Sequence, residues 1–109
     1  MTPNQFRRLA LNLPATIESA HMGHPDFRVA RKIFATLGPG EAWGMVKLTP
    51  QQQKEFVLAH PKVFEPINGA WGRRGATKVI LKAATKAILT PALIAAWRNT
   101  APDDLSDDL

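Results

Sequence analysis

Cysteine and tyrosine are absent from the 109-residue chain, and serine occurs only at Ser19 and Ser106. Without cysteine there is no disulfide, no thiolate metal site and no thiol nucleophile. With two serines and no G-x-S-x-G turn, the usual serine-hydrolase arrangement is excluded as well. No apolar run approaches the roughly 20 residues of a membrane-spanning helix. Residues Met1 to Arg8 lack the apolar segment of a signal peptide. The expectation is a soluble, cytoplasmic protein. Carboxylates are scarce and unevenly placed. Four of the nine, Asp103, Asp104, Asp107 and Asp108, fall in the last seven residues. Up to Pro102 only Glu18, Asp26, Glu41, Glu55 and Glu65 oppose fourteen Lys and Arg, so the body carries +9 and the tail −4. A body this basic attracts polyanions at long range. An acidic run behind it reads as a solubilising or screening tail.

What is present is a globular composition, 45% apolar and 21% charged. At this length about two-thirds of the chain's surface can be buried. Residues 1–102 are read as one domain and 103–109 as the tail. Proline punctuates the domain. Thr2-Pro3-Asn4-Gln5 and Thr49-Pro50-Gln51-Gln52 each place a capping Thr, a Pro at the first helical position and a Gln three residues after the cap. The first helix carries Phe6, Leu9, Ala10 and Leu13 on one side and stops at Pro14. The second runs to about His60, with Phe56, Val57 and Ala59 as its apolar face. Between them, segments 15–20, 27–29, 33–37 and 43–48 predict three or four short antiparallel strands. Residues 61–75, dense in Pro and Gly, predict a loop, and 77–82 the last strand. A third helix begins at Thr85 or Thr90 and reaches Thr100. A kink or fresh start is expected at Pro91, because proline inside a helix costs about 3 kcal/mol. The order α-β-β-β(-β)-α-β-α predicts an α+β two-layer sandwich, a single antiparallel sheet with helices on one face.

The second face of such a sheet is open to water. Period-two alternation puts Arg28, Lys47, Lys78 and Lys82 on it, opposite Val29, Val46, Val79 and Leu81. Just before the last strand stands Gly69-Ala70-Trp71-Gly72-Arg73-Arg74-Gly75. Its glycines permit an amide nest for an anion. Arg73 and Arg74 match the geometry of phosphate, and Trp71 suits stacking on a base. The competing structural reading has Trp71 plugging the edge of the core and the arginines solvated or paired with Glu65. Arg28, Lys47, Arg73, Arg74, Lys78 and Lys82 are therefore the candidate nucleic-acid-binding residues, touching phosphates without reading sequence. The alternative is a small-ligand or protein-interaction domain, with a pocket where His24 meets Trp71 and the Gly69–Gly75 loop.

Catalytic and metal-binding groups are few. His24 and Asp26 form the best acid/base pair, and Glu18 can meet Asp26 across a hairpin, but no catalytic constellation emerges and an enzyme is not expected. His21, His24 and Asp26 fall short of the ligand set of a zinc site. Neither a metal nor a cofactor is expected.

Four pieces in order resemble the MmcQ/YjbR family. They are Gly23-His24-Pro25-Asp26-Phe27-Arg28-Val29, Lys32-Ile33-Phe34-Ala35-Thr36-Leu37, Val63-Phe64-Glu65-Pro66, and Gly69-Ala70-Trp71-Gly72-Arg73-Arg74-Gly75-Ala76-Thr77. The resemblance runs from Phe6 to Pro102. It implies a two-layer α/β fold, similar to the frataxin-like or secretion-chaperone-like arrangement, and the role of a DNA-binding protein. Lys86 and Pro91 depart from the family's pattern, in which acidic residues are usual at the start of the third helix. Iron, which a frataxin-like fold suggests, wants a carboxylate-rich ridge that this body lacks. The combined expectation is a monomer that binds nucleic acid.

Overall fold

Both Thr-Pro signals start helices through the same pair of hydrogen bonds. In the computed structural model of the chain, which describes residues 1–107 and 109, the Gln5 N–H donates to Thr2 Oγ1 at 3.1 Å and the Thr2 N–H to Gln5 Oε1 at 2.8 Å. Thr49 and Gln52 repeat this at 3.1 and 2.9 Å. These boxes open α1 (Pro3–Leu11) and α2 (Pro50–Ala59). Between the two helices the chain meanders through β1 (Thr16–His21), β2 (His24–Val29), β3 (Lys32–Leu37) and β4 (Trp43–Lys47). Two-residue loops join the first three strands. Met22 and Gly23 in one, and Ala30 and Arg31 in the other, all take positive φ, the requirement of the type I′ hairpin that matches the twist of the flanking strands. A register shift between Phe27 and Arg28 gives β3 one extra residue, Phe34, so β3 buries Phe34 and Ala35 in succession.

The second half of the domain completes one six-stranded sheet in the order β1-β2-β3-β4-β6-β5, with every pairing antiparallel. The added strands are β5 (Phe64–Pro66) and β6 (Ala76–Ile80), separated by a single helical turn, α3 (Ala70–Arg73). The stretch 61–75 is thus not a plain loop. It holds an edge strand whose single inward residue, Phe64, packs edge-on against Phe56 at 5.4 Å. The last strand is shorter than its alternation suggests. It ends at Ile80, and a 3₁₀ turn over Leu81–Ala83 carries Lys82 off the sheet. Leu81 is buried all the same.

α4 (Lys86–Thr100) starts at the Thr85 cap and runs unbroken through Pro91. Neither a new start nor a second helix is formed at that residue. α1 and α4 pack against each other and, with α2, cover one face of the sheet. The core lies between the layers, where Phe6, Leu89, Leu93 and Trp97 meet Phe27, Val29, Leu37, Val46, Phe64 and Val79. The Trp97 indole N–H donates to the Pro14 carbonyl at 2.9 Å, so the largest buried ring leaves no polar atom unpaired. On α2 the predicted apolar face is only half-buried at Phe56 and Val57, and Ala59 is exposed. The buried residue of that helix is Gln53. Beyond the sandwich, Asp103–Ser106 form one more turn, α5, whose Leu105 rests against the core. No helix among the described residues is long and apolar enough to cross a membrane.

Candidate ligand-binding face of the sheet

Residues paired across antiparallel strands share a face. The pairs Asp26–Thr36, Thr36–Met45, Met45–Lys78 and Lys78–Glu65 form one row crossing five strands on the face away from the helices. Trp43 beside Ile80, Lys47 beside Ala76, and Arg28 beside Ile33 flank that row. Arg28, Lys47 and Lys78 therefore stand on the uncovered face, whereas Lys82 does not. The face is less uniformly basic than alternation alone implies. The Arg28 guanidinium gives Nε–H and Nη2–H to the two oxygens of Asp26, at 2.8 and 3.0 Å. Lys78 lies 3.4 Å from Glu65, a partner supplied by the edge strand. Glu65 is thus taken by Lys78 rather than by the arginines of the α3 turn.

Asp26 has no exposed surface. Burial alone pushes its carboxyl up, but the hydrogen bonds from Arg28 and His21, with their charges, outweigh burial and hold it below the usual carboxylate range. The bond to Asp26 raises the Arg28 guanidinium in turn. His21, not His24, is the histidine on Asp26, with Nδ1 at 2.7 Å from Oδ2. An ionised carboxylate only accepts, so Nδ1 carries the proton. His24 faces His21 across the hairpin, ring centroids 4.4 Å apart at 66°. Its Nδ1 is buried and has no hydrogen-bond partner among the described residues. Glu18 sits opposite Phe27 on the helix side and pairs with Arg7 at 2.8 Å, so it never meets Asp26. No group of three or more His, Asp or Glu able to hold a metal occurs among the described residues.

Between the β1–β2 hairpin tip and the α3 turn the open face sinks into a hollow of about 420 Å³. Its floor is Ile33, Thr36, Met45 and Ala76, and its walls are His21, Met22, Trp43, Ile67 and Trp71, with Lys47 at the side. The pocket expected near His24 is lined instead by its neighbours His21 and Met22. Trp71 is 62% exposed and does not plug the core. Lys47 Nζ stands 5.9 Å from its ring centroid, and Lys78 Nζ stands 5.4 Å from that of Trp43, both within cation–π range. Behind Trp71 a second hollow of about 320 Å³ is lined by Lys47, Arg74 and Asn99 among others. Arg73 and Arg74 are exposed.

The backbone of the α3 turn that bears Trp71 is fixed by its neighbours. Gln53 Nε2 donates to the Gly72 and Ala76 carbonyls, both at 3.0 Å, which fixes the turn to α2. A Cβ on residue 72 would lie 1.5 Å from the Ile67 oxygen. Gly75, at φ +114°, would set a Cβ 1.9 Å from the Leu48 oxygen. These two glycines serve close packing. The N–H groups of Arg73, Arg74 and Gly75 are spent on Gly69, Ala70 and Gly72 carbonyls at 3.0–3.2 Å, so this half of the loop offers no amides to an anion.

Sequence reasoning did not place Met22, Thr36, Met45 or Ile67 at the site, and weighed His21 only as a metal ligand. The two-residue spacing of His21 and His24 around Met22-Gly23 was the signal for the hairpin that aims His21 at Asp26. The floor residues became a site only once β3, β4 and β6 were aligned.

A single antiparallel sheet with helices on one side and a solvent-facing hollow on the other defines an α+β two-layer protein. The sequence pattern of the YjbR family matches residues 11–99, and the chain belongs to that family. Its fold is similar to the crystal structure of a Deinococcus radiodurans protein with a DUF419 domain. The TM-score is 0.73 at 16% identity, covering 98% of this chain and 86% of that one. No curated protein matches the chain.

Proposed function

We propose that the protein binds nucleic acid through the open face of the sheet and the adjoining α3 turn, with little dependence on sequence. The observation that carries this reading is the pair of indole rings on one uncovered face, Trp43 and Trp71, each with a lysine over it. Aromatic faces beside cations are the means by which proteins hold nucleic-acid strands without reading base edges. Arg73 and Arg74 add phosphate-matching donors beside Trp71. Lys47, Arg73, Arg74 and Lys78 are the proposed phosphate contacts. Arg28 supports the site by anchoring Asp26, and Lys82 lies outside it. Four phosphate contacts imply that log affinity falls against log salt with a slope of about −3 to −4. Replacing Arg73 and Arg74 together by Ala is expected to flatten the slope by about 2 while leaving the fold intact, since both side chains are exposed. Salt-titrated anisotropy with labelled oligonucleotides measures both. An absence of salt-dependent binding at about 50 mM salt overturns the reading.

The hollow by itself favours a second reading, a small planar ligand, because 420 Å³ falls in the range of small-molecule pockets. Competition between free nucleotide and strand separates the two.

A further inference from the structure

We infer that the hollow on the open face receives an unpaired base of a single strand, with Trp43 and Trp71 as aromatic walls and Lys47 and Lys78 meeting the flanking phosphates. The inference rests on the nucleic-acid reading and narrows it from any polyanion to a strand whose bases are free to leave the stack.

Shape is the first argument. A duplex offers its phosphates and the edges of its bases. Only an unstacked base offers a flat face, and only such a base fits a walled hollow. The floor is apolar apart from the Thr36 hydroxyl, which suits the face of a base and not a phosphate. Charge is the second. Lys47, which lines the hollow, stands 5.9 Å from the Trp71 ring centroid, and Lys78, beside Glu65, stands 5.4 Å from that of Trp43. Cations at the rim of an apolar floor match the chemistry of a nucleotide, which is apolar in the middle and anionic at both ends.

Rigidity is the third argument. Trp71 is exposed, yet Gln53 and the close packing at Gly72 fix the turn that bears it. With the backbone of the turn already fixed, only the two side-chain torsions of Trp71 remain to be ordered on binding. The side-chain polar groups lining the hollow are those of His21, Thr36 and Lys47 and the two indole N–H groups, with no amide or carboxylate to tell one base edge from another, so one base is accepted about as well as another.

The test compares three labelled ligands of equal length at about 50 mM salt: oligothymidylate, the same strand made abasic, and a blunt duplex. The base-bearing strand is expected to bind about tenfold more tightly than the abasic strand or the duplex. It should also quench tryptophan emission, to which the fully buried Trp97 adds an unchanging background. Trp71→Ala should remove most of the tenfold advantage and leave abasic affinity as it was. Trp43 packs against Gly38, so Trp43→Phe is the safer variant there, and a few-fold loss is expected.

Equal binding of the three ligands, or indifference to Trp71→Ala, overturns the hollow as a base site and leaves the phosphate-driven reading standing. No salt-dependent binding by any of them overturns both. Thymidine monophosphate competing at the affinity of the whole strand overturns the strand as occupant and assigns the hollow to a small ligand.

Discussion

Asp26 is the only carboxylate among the described residues with a fully buried side chain, and it joins Arg28 of its own strand to His21 of the facing strand. It accepts two hydrogen bonds from Arg28 and one from His21. Its carboxyl titrates lower in the fold than in the unfolded chain. The stability it contributes is therefore complete above the unfolded carboxylate pKa of about 4, and is lost as pH falls through the lower, folded value. Asp26→Asn is expected to lower stability at pH 7 by about 1.5–3 kcal/mol, the range for hydrogen bonds to a charged group. It is also expected to remove part of the decline below about pH 4. Urea denaturation of both proteins from neutral to acid pH measures the two effects. An unchanged acid limb in the variant would falsify the assignment of that titration to Asp26. The His24–Asp26 pairing read from sequence failed on strand geometry. His24 and Asp26 lie on the same strand two residues apart and point the same way, whereas His21 on the facing strand closes onto the carboxylate from the side.

At the scale of elements, helix starts were legible and strand pairing was not. Thr-Pro-x-Gln is a local device, complete within four residues, and both copies cap as their chemistry demands. β5 is three residues long, holds Pro66 and has one inward side chain, so it leaves no alternation to read. Its existence depends on β6, which pairs with it from the other side of α3. Gln53 was hidden for a similar reason, because a polar residue becomes core only when a distant turn offers carbonyls to it. The open face was legible in outline at Arg28, Lys47 and Lys78. Its hollow was not, since that depends on how β3, β4 and β6 align. Pro91 shows tertiary packing overriding propensity. Ala92, Leu93, Ala96 and Trp97, buried beyond it, hold the helix continuous even though residue 91 has no N–H to give the Ala87 carbonyl. Pro91→Ala restores that donor at an exposed position. It is expected to stabilise the protein by about 1–3 kcal/mol, read as a rise in melting temperature of roughly 4 °C or more. A fall in melting temperature would mean that the proline ring itself packs usefully.

Over the whole molecule, charge is divided between a body of +9 and a C-terminal segment of −4. The segment is not simply a free tail, because α5 brings Leu105 against the core and so keeps Asp103 and Asp104 near the protein surface. Changing Asp103, Asp104, Asp107 and Asp108 to Asn keeps that leucine and removes the charge. Affinity for single-stranded DNA is expected to rise several-fold at about 50 mM salt and to differ little near 1 M, where the screening length falls to about 3 Å. Equal affinities at low salt would show that the acidic segment does not screen the body.

The floor of the hollow straddles the junction of β4 and β6, where Met45 lies opposite Lys78 and Lys47 opposite Ala76. That junction joins parts of the chain separated by α2, β5 and α3, while the β1–β4 meander closes through short turns. Closing a connection of that length costs more entropy than closing the short turns of the meander. The hollow therefore exists only once this long-range pairing is made, and a ligand that needs it would bind the native state alone. Occupancy and folding are thermodynamically linked: a ligand at a hundred times its dissociation constant adds about 2.7 kcal/mol to the stability of the whole domain.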